Sequence, residues 1–363
     1  MRFGMVLKGE TYCKTIQSGT GEKILMKRMK NEIKTIDLFC GIGGIRLGFD
    51  AAGAECVWSN DYNKYSAITY SENFGPDNFH LGDIRGVKSE DIPYFNILCG
   101  GFPCQPFSIA GISKKKSLNR PHGFQDETQG TLFYEIVRII KDKKPDAFFL
   151  ENVKNLERHD NGKTFEIVKG ALEELGYSFY HKVINAKSLV PQNRERIYMV
   201  GFRDRTIDFE FPEIPDNNPK IKDILEKNVS EKHSLTDHLW DYLQKYAAKH
   251  KAKGNGFGYG LADLNSYTRT LSARYYKDGS EILVPQKGKN PRMLTPRECA
   301  RLQGFPDDFK ILVSNTQAYK QFGNAVAVPV IKILAKQVIK TLKEKPKRKE
   351  PYSIQQKLAV VQQ

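Results

Sequence analysis

The chain has 363 residues, of which 40% are hydrophobic and 27% are charged, and its formal net charge is +15. No apolar stretch approaches the roughly 20 residues that span a bilayer, and the N-terminus lacks the apolar core of a signal peptide, so we expect a cytoplasmic protein. The basic surface favours a polyanionic partner, of which nucleic acid is the commonest.

The first part of the chain, residues 1–33, shows no clear periodicity and is expected to be an N-terminal extension of unknown role, unless the biological start is Met26 or Met29. From 34 to 204, short apolar runs alternate with helical stretches. This alternation predicts an α/β catalytic and cofactor-binding domain with a doubly wound, mostly parallel sheet. The predicted strands are Thr35–Phe39, Glu55–Asn60, Asn96–Gly100, Ala147–Glu151 and Tyr198–Phe202, and the predicted helices are Thr131–Lys144 and Phe165–Leu175.

A glycine-rich loop, Phe39-Cys40-Gly41-Ile42-Gly43-Gly44, leads from the first strand towards a helix. Such a loop lets a ligand approach the backbone closely, although a simple tight turn fits the same pattern. Asp61 follows the second strand, where a carboxylate can hold ribose hydroxyls, and Tyr62 offers a ring to stack on adenine. Asp83 follows the third strand-like segment and could accept from an exocyclic amine.

The six cysteines are scattered and none has zinc-ligand spacing, so we expect neither disulfides nor a metal site. Cys56 and Cys99 lie in apolar runs and are expected in the core. Cys104 differs, because it lies in Pro103-Cys104-Gln105-Pro106, directly after an apolar run that ends in glycines. A thiol at the C-terminal end of a buried strand is a candidate nucleophile.

Two further motifs are expected to lie near the Cys104 thiol. Glu151, in Glu-Asn-Val, closes a predicted strand, so its carboxylate is expected at the same sheet edge as Cys104. Arg194 and Arg196, in Gln-Asn-Arg-Glu-Arg, alternate along the start of a strand and should point the same way. Paired guanidinium groups suit a carbonyl oxygen or a phosphate.

The composition changes after residue 204, and we predict a smaller domain over 205–290. Its amphipathic stretch Thr236–Lys253 is expected to turn Tyr246 inward and its lysines outward. Residues 291–342 are expected to supply helices, over Leu294–Phe309 and Tyr319–Lys340, that complete the first domain. The tail, 343–363, is basic and expected to be flexible.

These motifs, in this order, resemble those of the C5-cytosine DNA methyltransferases of bacterial type II restriction–modification systems, over nearly everything from Thr35 to Lys340. The stretch Glu151–Phe202 is especially similar to the HhaI-type modification methylases. The motifs that carry the resemblance are the glycine loop, Gly101–Ser108, Glu151–Val153, Gln192–Arg196, Arg297–Phe305 and Gly323–Val326.

The resemblance implies that a target cytosine is flipped out of double-stranded DNA and that the Cys104 thiolate adds to its C6. Protonated Glu151 would reach N3, Arg196 would contact O2, and Arg194 would assist near the cysteine. C5 would then take a methyl group from S-adenosylmethionine. The residues that would bind this cofactor are Phe39, Gly41, Gly43, Asp61, Tyr62, Asp83, Ile84, Pro103, Asn324 and Val326.

The resemblance also implies that the smaller domain reads the DNA sequence, in a site of the CCNGG or CCWGG type. A loop over Ile109–Gln125 would close over the flipped base, with its lysines on phosphates. The protein would act as a monomer, paired in function with a restriction endonuclease but not in a stable complex with it. The residues expected to contact DNA are Gln105, Ser108, Lys114, Lys115, Lys116, Arg269, Thr270 and Arg274.

Three alternatives remain open on sequence grounds. A tRNA cytosine-5 methyltransferase would share the fold and the cysteine. A catalytically silent DNA-binding regulator would act through residues 1–33 and would not need Cys104, Glu151 or Arg196. A nicotinamide oxidoreductase could share the glycine loop, but it gives no reason for the Pro-Cys loop.

Overall fold

The computed structural model describes residues 3–7, 10–14, 26–28, 33–102, 132–256 and 258–344. The chain separates into two units, Met1–Ile33 and Lys34–Gln363. In the first unit, strands β1 (Phe3–Leu7), β2 (Glu10–Lys14) and β3 (Met26–Arg28) form an antiparallel sheet in the order β1-β2-β3. This sheet was not predicted, because strands of three to five residues are too short to establish a period.

The second unit is built on a seven-stranded sheet with the order β6-β5-β4-β7-β8-β10-β9. The β4–β7, β7–β8 and β5–β6 pairs are parallel, whereas β10 runs antiparallel to both β8 and β9. The prediction of a mostly parallel sheet is therefore confirmed. Its strands are β4 (Ile33–Leu38), β5 (Ala54–Asp61), β6 (Phe79–Leu81), β7 (Ile97–Gly101), β8 (Ala147–Val153), β9 (Tyr180–Asn185) and β10 (Glu195–Phe202).

Helices cover the sheet because the central strands are apolar on both faces. On β8, Phe148 and Leu150 share a buried cluster with apolar residues of two helices, α3 (Leu132–Lys143) and α4 (Lys163–Glu174). Phe149, which alternation turns to the opposite face, contacts Phe49 with ring centroids 5.2 Å apart. Phe49 lies on α1 (Gly44–Asp50), and α2 (Lys64–Phe74) follows β5.

The later part of the unit holds α5 (Asp237–Ala252), the hairpin β11 (Leu283–Gln286) and β12 (Lys289–Met293), and three helices. One buried cluster joins Leu271 and Tyr275 to Leu294 and Phe322, so the region before residue 290 and the helices after it share a core. The division of 34–342 into a catalytic domain, a recognition domain and completing helices stays a prediction. The three helices are α6 (Pro296–Leu302), α7 (Asn315–Asn324) and α8 (Val328–Lys343).

Three expectations about these helices are wrong. The predicted Leu294–Phe309 helix ends at Leu302, since Gly304 has a φ of 73°. The predicted Tyr319–Lys340 helix is divided, because Ala325 is extended and Pro329 lies in the first turn of α8. Tyr246 is 38% exposed, because the buried face of α5 is formed by Leu243 with its partly buried neighbours Leu239 and Trp240.

Within the described residues, no helix is both long enough and apolar enough to cross a membrane. The same residues contain no group of three or more His, Cys, Asp or Glu side chains that could hold a metal ion. Cys56 and Cys99 are buried free thiols, as predicted from their apolar surroundings.

Candidate active site

The glycine loop after β4 is held by the carboxylate that ends β5. The backbone N–H of Gly41 donates to Asp61 Oδ2 at 2.9 Å, and that of Asn63 donates to Asp61 Oδ1 at 2.8 Å. Burial raises the pKa of Asp61, and these backbone donors counter the shift. Asp61 therefore fixes the loop while retaining acceptor capacity, since each carboxylate oxygen has more than one lone pair.

Two glycines of the loop are required by geometry. Gly43 has a φ of 81°, and a Cβ added there would lie 2.4 Å from the ring of Phe74. Gly41 has a φ of 54°, and a Cβ added there would meet no atom of the described residues within 4 Å. The described residues therefore leave room for a ligand to approach the backbone of Gly41 closely.

Asp37, at the end of β4, was not singled out from the sequence. Its side chain is buried, and neither carboxylate oxygen has a hydrogen-bond partner among the described residues. Burial raises the pKa of Asp37 to about 7, while the neighbouring Arg46 lowers it. Asp37 could have been predicted as a site residue, because it is acidic, lies near the end of an apolar strand and precedes the glycine loop by two positions.

The residues expected around an adenine differ in exposure. Tyr62 is 73% exposed, and Ile84 is buried. Asp83 caps a short 3-10 turn and accepts from the backbone N–H and the Nε of Arg85, both at 3.0 Å. Hydrogen bonds from Arg85 lower the pKa of Asp83, so this carboxylate already has a cationic partner that was not identified from the sequence.

Glu151 and Arg196 form the central ion pair of the site. Arg196 Nε lies 3.1 Å from Glu151 Oε1, and both side chains are largely buried. The pair forms because β8 and β10 are antiparallel neighbours, with Tyr198 opposite Glu151 and Arg196 opposite Val153. Burial raises the pKa of Glu151, and the Arg196 and Arg194 guanidinium groups lower it.

The end of β7 lies beside this pair. Gly101 is opposite Glu151 in the parallel β7–β8 register, and a Cβ added at Gly101 would lie 3.4 Å from Glu151 Oε2. Asn152 donates from Nδ2 to the carbonyl oxygen of Phe102 at 3.0 Å. The Glu-Asn-Val motif thus contacts Phe102, the last described residue before the Pro-Cys loop, through Asn152, which was not assigned a role from the sequence.

The structure describes neither the thiol nor the loop after it. Residues 103–131 lie outside the described part of the chain, and with them lie several predicted site residues. Those residues are Pro103, Cys104, Gln105, Ser108, Lys114, Lys115 and Lys116.

Arg194 lies near Arg196, but its donors are directed to the backbone. Arg194 Nη1 donates to the carbonyl of Leu271 at 3.0 Å, and Nη2 donates to those of Gly323 and Ala325 at 3.3 and 2.5 Å. Its Nε has no partner among the described residues. Burial, together with Arg196, lowers the pKa of Arg194. Three carbonyl partners indicate that Arg194 joins separate parts of the chain.

Val326, in the C-terminal part of the chain, packs against the glycine loop. Val326 is buried, and its Cγ2 lies 2.9 Å from where a Cβ on Gly44 would be, so the two pack without space between them. Asn324, two residues earlier, is exposed. Of the predicted DNA-contacting residues that the structure describes, Arg269 and Arg274 are exposed, and Thr270 is half-buried with its hydroxyl donating to the carbonyl of Asn193.

The chain matches known proteins both in sequence and in structure. The model of the C-5 cytosine-specific DNA methylase family matches residues 33–340. The chain is 54% identical to the type II methyltransferase M.SsoII of Shigella sonnei, over 85% of this chain and 80% of that protein. It is 51% identical to M.NlaX of Neisseria lactamica, over 84% and 96%, and 42% identical to M.HhaI of Haemophilus parahaemolyticus, over 86% and 96%.

Solved structures match at lower identity. The Entamoeba histolytica methyltransferase EhMeth has a TM-score of 0.67 at 22% identity, over 87% of this chain and all of that one. The S. pombe Dnmt2 methyltransferase has a TM-score of 0.67 at 18% identity, over 86% and 100%. At these identities the likeness shows the fold, which is that of the methyltransferases.

Proposed function

The chain belongs to the family of C-5 cytosine-specific DNA methylases, and from that premise we propose that it methylates carbon 5 of a cytosine within a short duplex site, through a covalent bond from Cys104 to C6. The observation that carries the proposal is the buried Glu151–Arg196 pair beside Gly101, the glycine from which the chain continues to the Pro-Cys loop. A carboxyl group and a guanidinium group side by side can satisfy N3 and O2 of one cytosine.

Glu151 acts as the proton donor to N3. A donor must carry its proton near neutral pH, and burial raises the pKa of Glu151 in that direction. When N3 receives the proton, positive character on the ring makes C6 open to attack by the thiolate. Electron density then moves to C5, which becomes nucleophilic.

Cys104 supplies the thiolate. It follows Gly101 by three residues, and an extended chain of that length spans about 11 Å. The Gly101–Glu151 register therefore supports a thiol that acts on the same ring as Glu151. Once C5 has been methylated, a base such as water accepts the C5 proton, and the bond between C6 and the sulfur breaks so that Cys104 leaves as the thiolate. N3 then returns its proton to Glu151, which restores the neutral aromatic ring.

The proposed role of Arg194 is narrower than the sequence resemblance implies. Its two terminal nitrogens are bound to three carbonyl oxygens, so only the buried Nε has no partner within the described chain. We therefore assign Arg194 the support of the site around Arg196, and Arg196 the contact with O2.

S-adenosylmethionine is the proposed cofactor, and it would supply the electrophilic methyl group. The residues present fit it. Asp37 has two buried carboxylate oxygens that lack a hydrogen-bond partner among the described residues. No described atom lies within 4 Å of a Cβ added at Gly41, and Asp61 retains lone pairs for ribose hydroxyls. Tyr62 presents an exposed ring for adenine, and Ile84, which is buried among core residues, stays a contact proposed from the sequence resemblance. The remaining proposed contacts are Phe39, Gly43, Asp83, Pro103, Asn324 and Val326.

The substrate is double-stranded DNA, and the relatives at 42–54% identity are type II methyltransferases. The proposed recognition site is of the CCNGG or CCWGG type, and methylation there would protect host DNA from a partner endonuclease. Because the chromosome of a bacterial cell lies in its cytoplasm, that compartment is the proposed location, and we propose a monomer.

Bisulfite sequencing of DNA from a host that lacks cytosine methylation and expresses this chain tests the proposal. We expect 5-methylcytosine at one palindromic motif, and none with the Cys104→Ser variant as a matched control. Methylation at an unrelated motif would reject the proposed site but not the activity. Transfer of labelled methyl groups to tRNA and not to duplex DNA would overturn the DNA assignment.

A further inference from the structure

A short segment of the chain, 268–271, is fastened to the residues that precede β10. The backbone N–H of Thr268 donates to the carbonyl of Pro191 at 2.9 Å, and that of Asn193 donates to the carbonyl of Thr268 at 2.7 Å. These two bonds form an isolated parallel bridge. The backbone pairing ends there, before Leu271.

At Leu271 the hydrogen bonds come from two side chains, those of Gln192 and Arg194, and not from backbone pairing. The Leu271 N–H donates to Gln192 Oε1 at 3.2 Å, and the Leu271 carbonyl accepts from Arg194 Nη1 at 3.0 Å. Gln192 and Arg194 are two residues apart on one extended chain, and together they bind both backbone groups of Leu271, the N–H and the carbonyl. The segment is thereby kept in a single register relative to the start of β10.

Gln192 is itself fixed by a second glutamine. Its Nε2 donates to the carbonyl of Leu302 at 2.7 Å and to Gln303 Oε1 at 3.0 Å, and Gln303 Nε2 donates to the carbonyl of Phe322 at 2.8 Å. Both glutamine side chains are 0% exposed. A buried amide network in which each member has its partners permits one arrangement and penalises others.

The opposite side of the segment is closed by backbone. A Cβ on Gly323 would lie 2.3 Å from the carbonyl oxygen of Ser272, so Ser272 rests directly on the end of α7. The end of the segment therefore lies between α7 and the hydrogen bonds from Gln192 and Arg194.

We propose that Gln192, oriented by Gln303, is a positioning residue that holds Thr270 and Leu271 in register with Arg196 and so sets the affinity of the site for its target duplex. This inference rests on the proposed function, in which Thr270 contacts DNA. Arg196 lies four residues after Gln192 and pairs with Glu151. The network therefore links a DNA-contacting segment to the reacting pair through one continuous stretch of chain.

The test measures the dissociation constant of the full-length protein for a duplex that contains its methylation site, together with KM for S-adenosylmethionine. Gln192→Met keeps the size of the side chain but removes every hydrogen bond that the side chain makes. We expect the dissociation constant for the duplex to rise about tenfold or more, with KM for the cofactor unchanged. Gln303→Met removes the group that orients Gln192 and should act in the same direction, so a Gln192 variant that fails to fold leaves the inference testable.

Gln321→Met is the matched control. Gln321 is a buried glutamine on α7, but its side chain accepts from Thr69 Oγ1 at 3.0 Å and donates to the Tyr65 carbonyl at 2.9 Å, away from the segment. Its loss should lower the melting temperature and leave the dissociation constant for DNA unchanged. If the glutamine variants at 192 and 303 behave as this control does, the positioning role is wrong and the proposed function stands. A wild-type protein that methylates no duplex would instead overturn the proposed function and, with it, this inference.

Discussion

At the scale of single residues, two buried carboxyl groups lie near the C-terminal ends of β4 and β8, the two strands that pair with β7, but in different surroundings. Glu151 faces two guanidinium groups, whereas neither oxygen of Asp37 has a hydrogen-bond partner among the described residues. Burial raises the pKa of both groups. Each shift has a measurable consequence, one for stability and the other for catalysis.

The Asp37→Asn variant should become more stable than the wild type as the pH rises. The pKa of Asp37 is about 7 in the folded chain, against 3.8 for the ordinary group. A raised folded-state pKa means that the neutral form stabilises the fold at low pH, and that this stability is lost as the pH rises from about 4 to 7. The loss is on the order of 4 kcal/mol, and a neutral asparagine avoids it.

Urea unfolding at pH 4, 5, 6, 7 and 8 measures this difference in free energy of unfolding. Asp307→Asn is the control, because Arg301 lowers the pKa of this exposed carboxyl and its replacement should bring no gain at high pH. A difference between Asp37→Asn and the wild type that does not vary with pH would contradict the assignment.

The Glu151→Gln variant should lose kcat by a factor of about 10² to 10⁴, because an amide cannot deliver a proton to N3. In the wild type, kcat should fall at high pH as Glu151 loses its proton, and this limb of the profile should vanish in the variant. Glu195→Gln is the matched control on the neighbouring strand β10, since Glu195 pairs with the partly exposed Lys154. A Glu151→Gln enzyme that keeps the wild-type kcat and pH profile would remove Glu151 from the mechanism.

At the scale of elements, the start of α6 is fixed by a buried ion pair. Arg292 donates to both carboxylate oxygens of Glu298 at 2.7 and 2.8 Å, and Thr295 and Glu298 form a reciprocal capping box. The Glu298→Ala variant should lose about 3–5 kcal/mol of unfolding free energy, because a buried guanidinium is left unpaired. Chemical denaturation measures the loss.

Glu72→Ala serves as the comparison for that measurement. Glu72 pairs with Lys310 at 2.7 Å, but both side chains are exposed to solvent. Its removal should cost less than about 1 kcal/mol. Equal losses for the two variants would show that the Glu298 pair contributes no more than a surface pair.

The elements that the sequence could predict are those with a strong period or a clear boundary signal. The five predicted strands correspond to β4, β5, β7, β8 and β10, and α3 and α4 lie within a residue or two of their expected bounds. The break between α7 and α8 was missed because the apolar period continues across Ala325, whose extended conformation depends on tertiary contacts with Arg194. The antiparallel direction of β10 likewise follows from its neighbours β8 and β9, not from a local pattern.

At the scale of the whole molecule, the order of motifs along the chain predicted the family and the fold, whereas contacts between distant segments could not be predicted. Asn152 with Phe102, Gln192 with Leu271, and Arg194 with Ala325 are separated by 50, 79 and 131 residues. A single sequence shows which residue types stand at these positions. Which amide binds which carbonyl depends on the packed structure and cannot be read from that sequence.

The central claim is that one sulfur atom bonds to the pyrimidine while the remaining groups of the site prepare the ring. It is tested most directly by incubating the protein, with S-adenosylmethionine, on duplex DNA that carries 5-fluorocytosine at the target position, because fluorine cannot leave as a proton does. Mass spectrometry of the denatured product should show a covalent protein–DNA adduct on the peptide containing Cys104, and none for Cys104→Ser. A wild-type protein that methylates ordinary duplex but forms no adduct, or an adduct that persists without Cys104, would contradict the account.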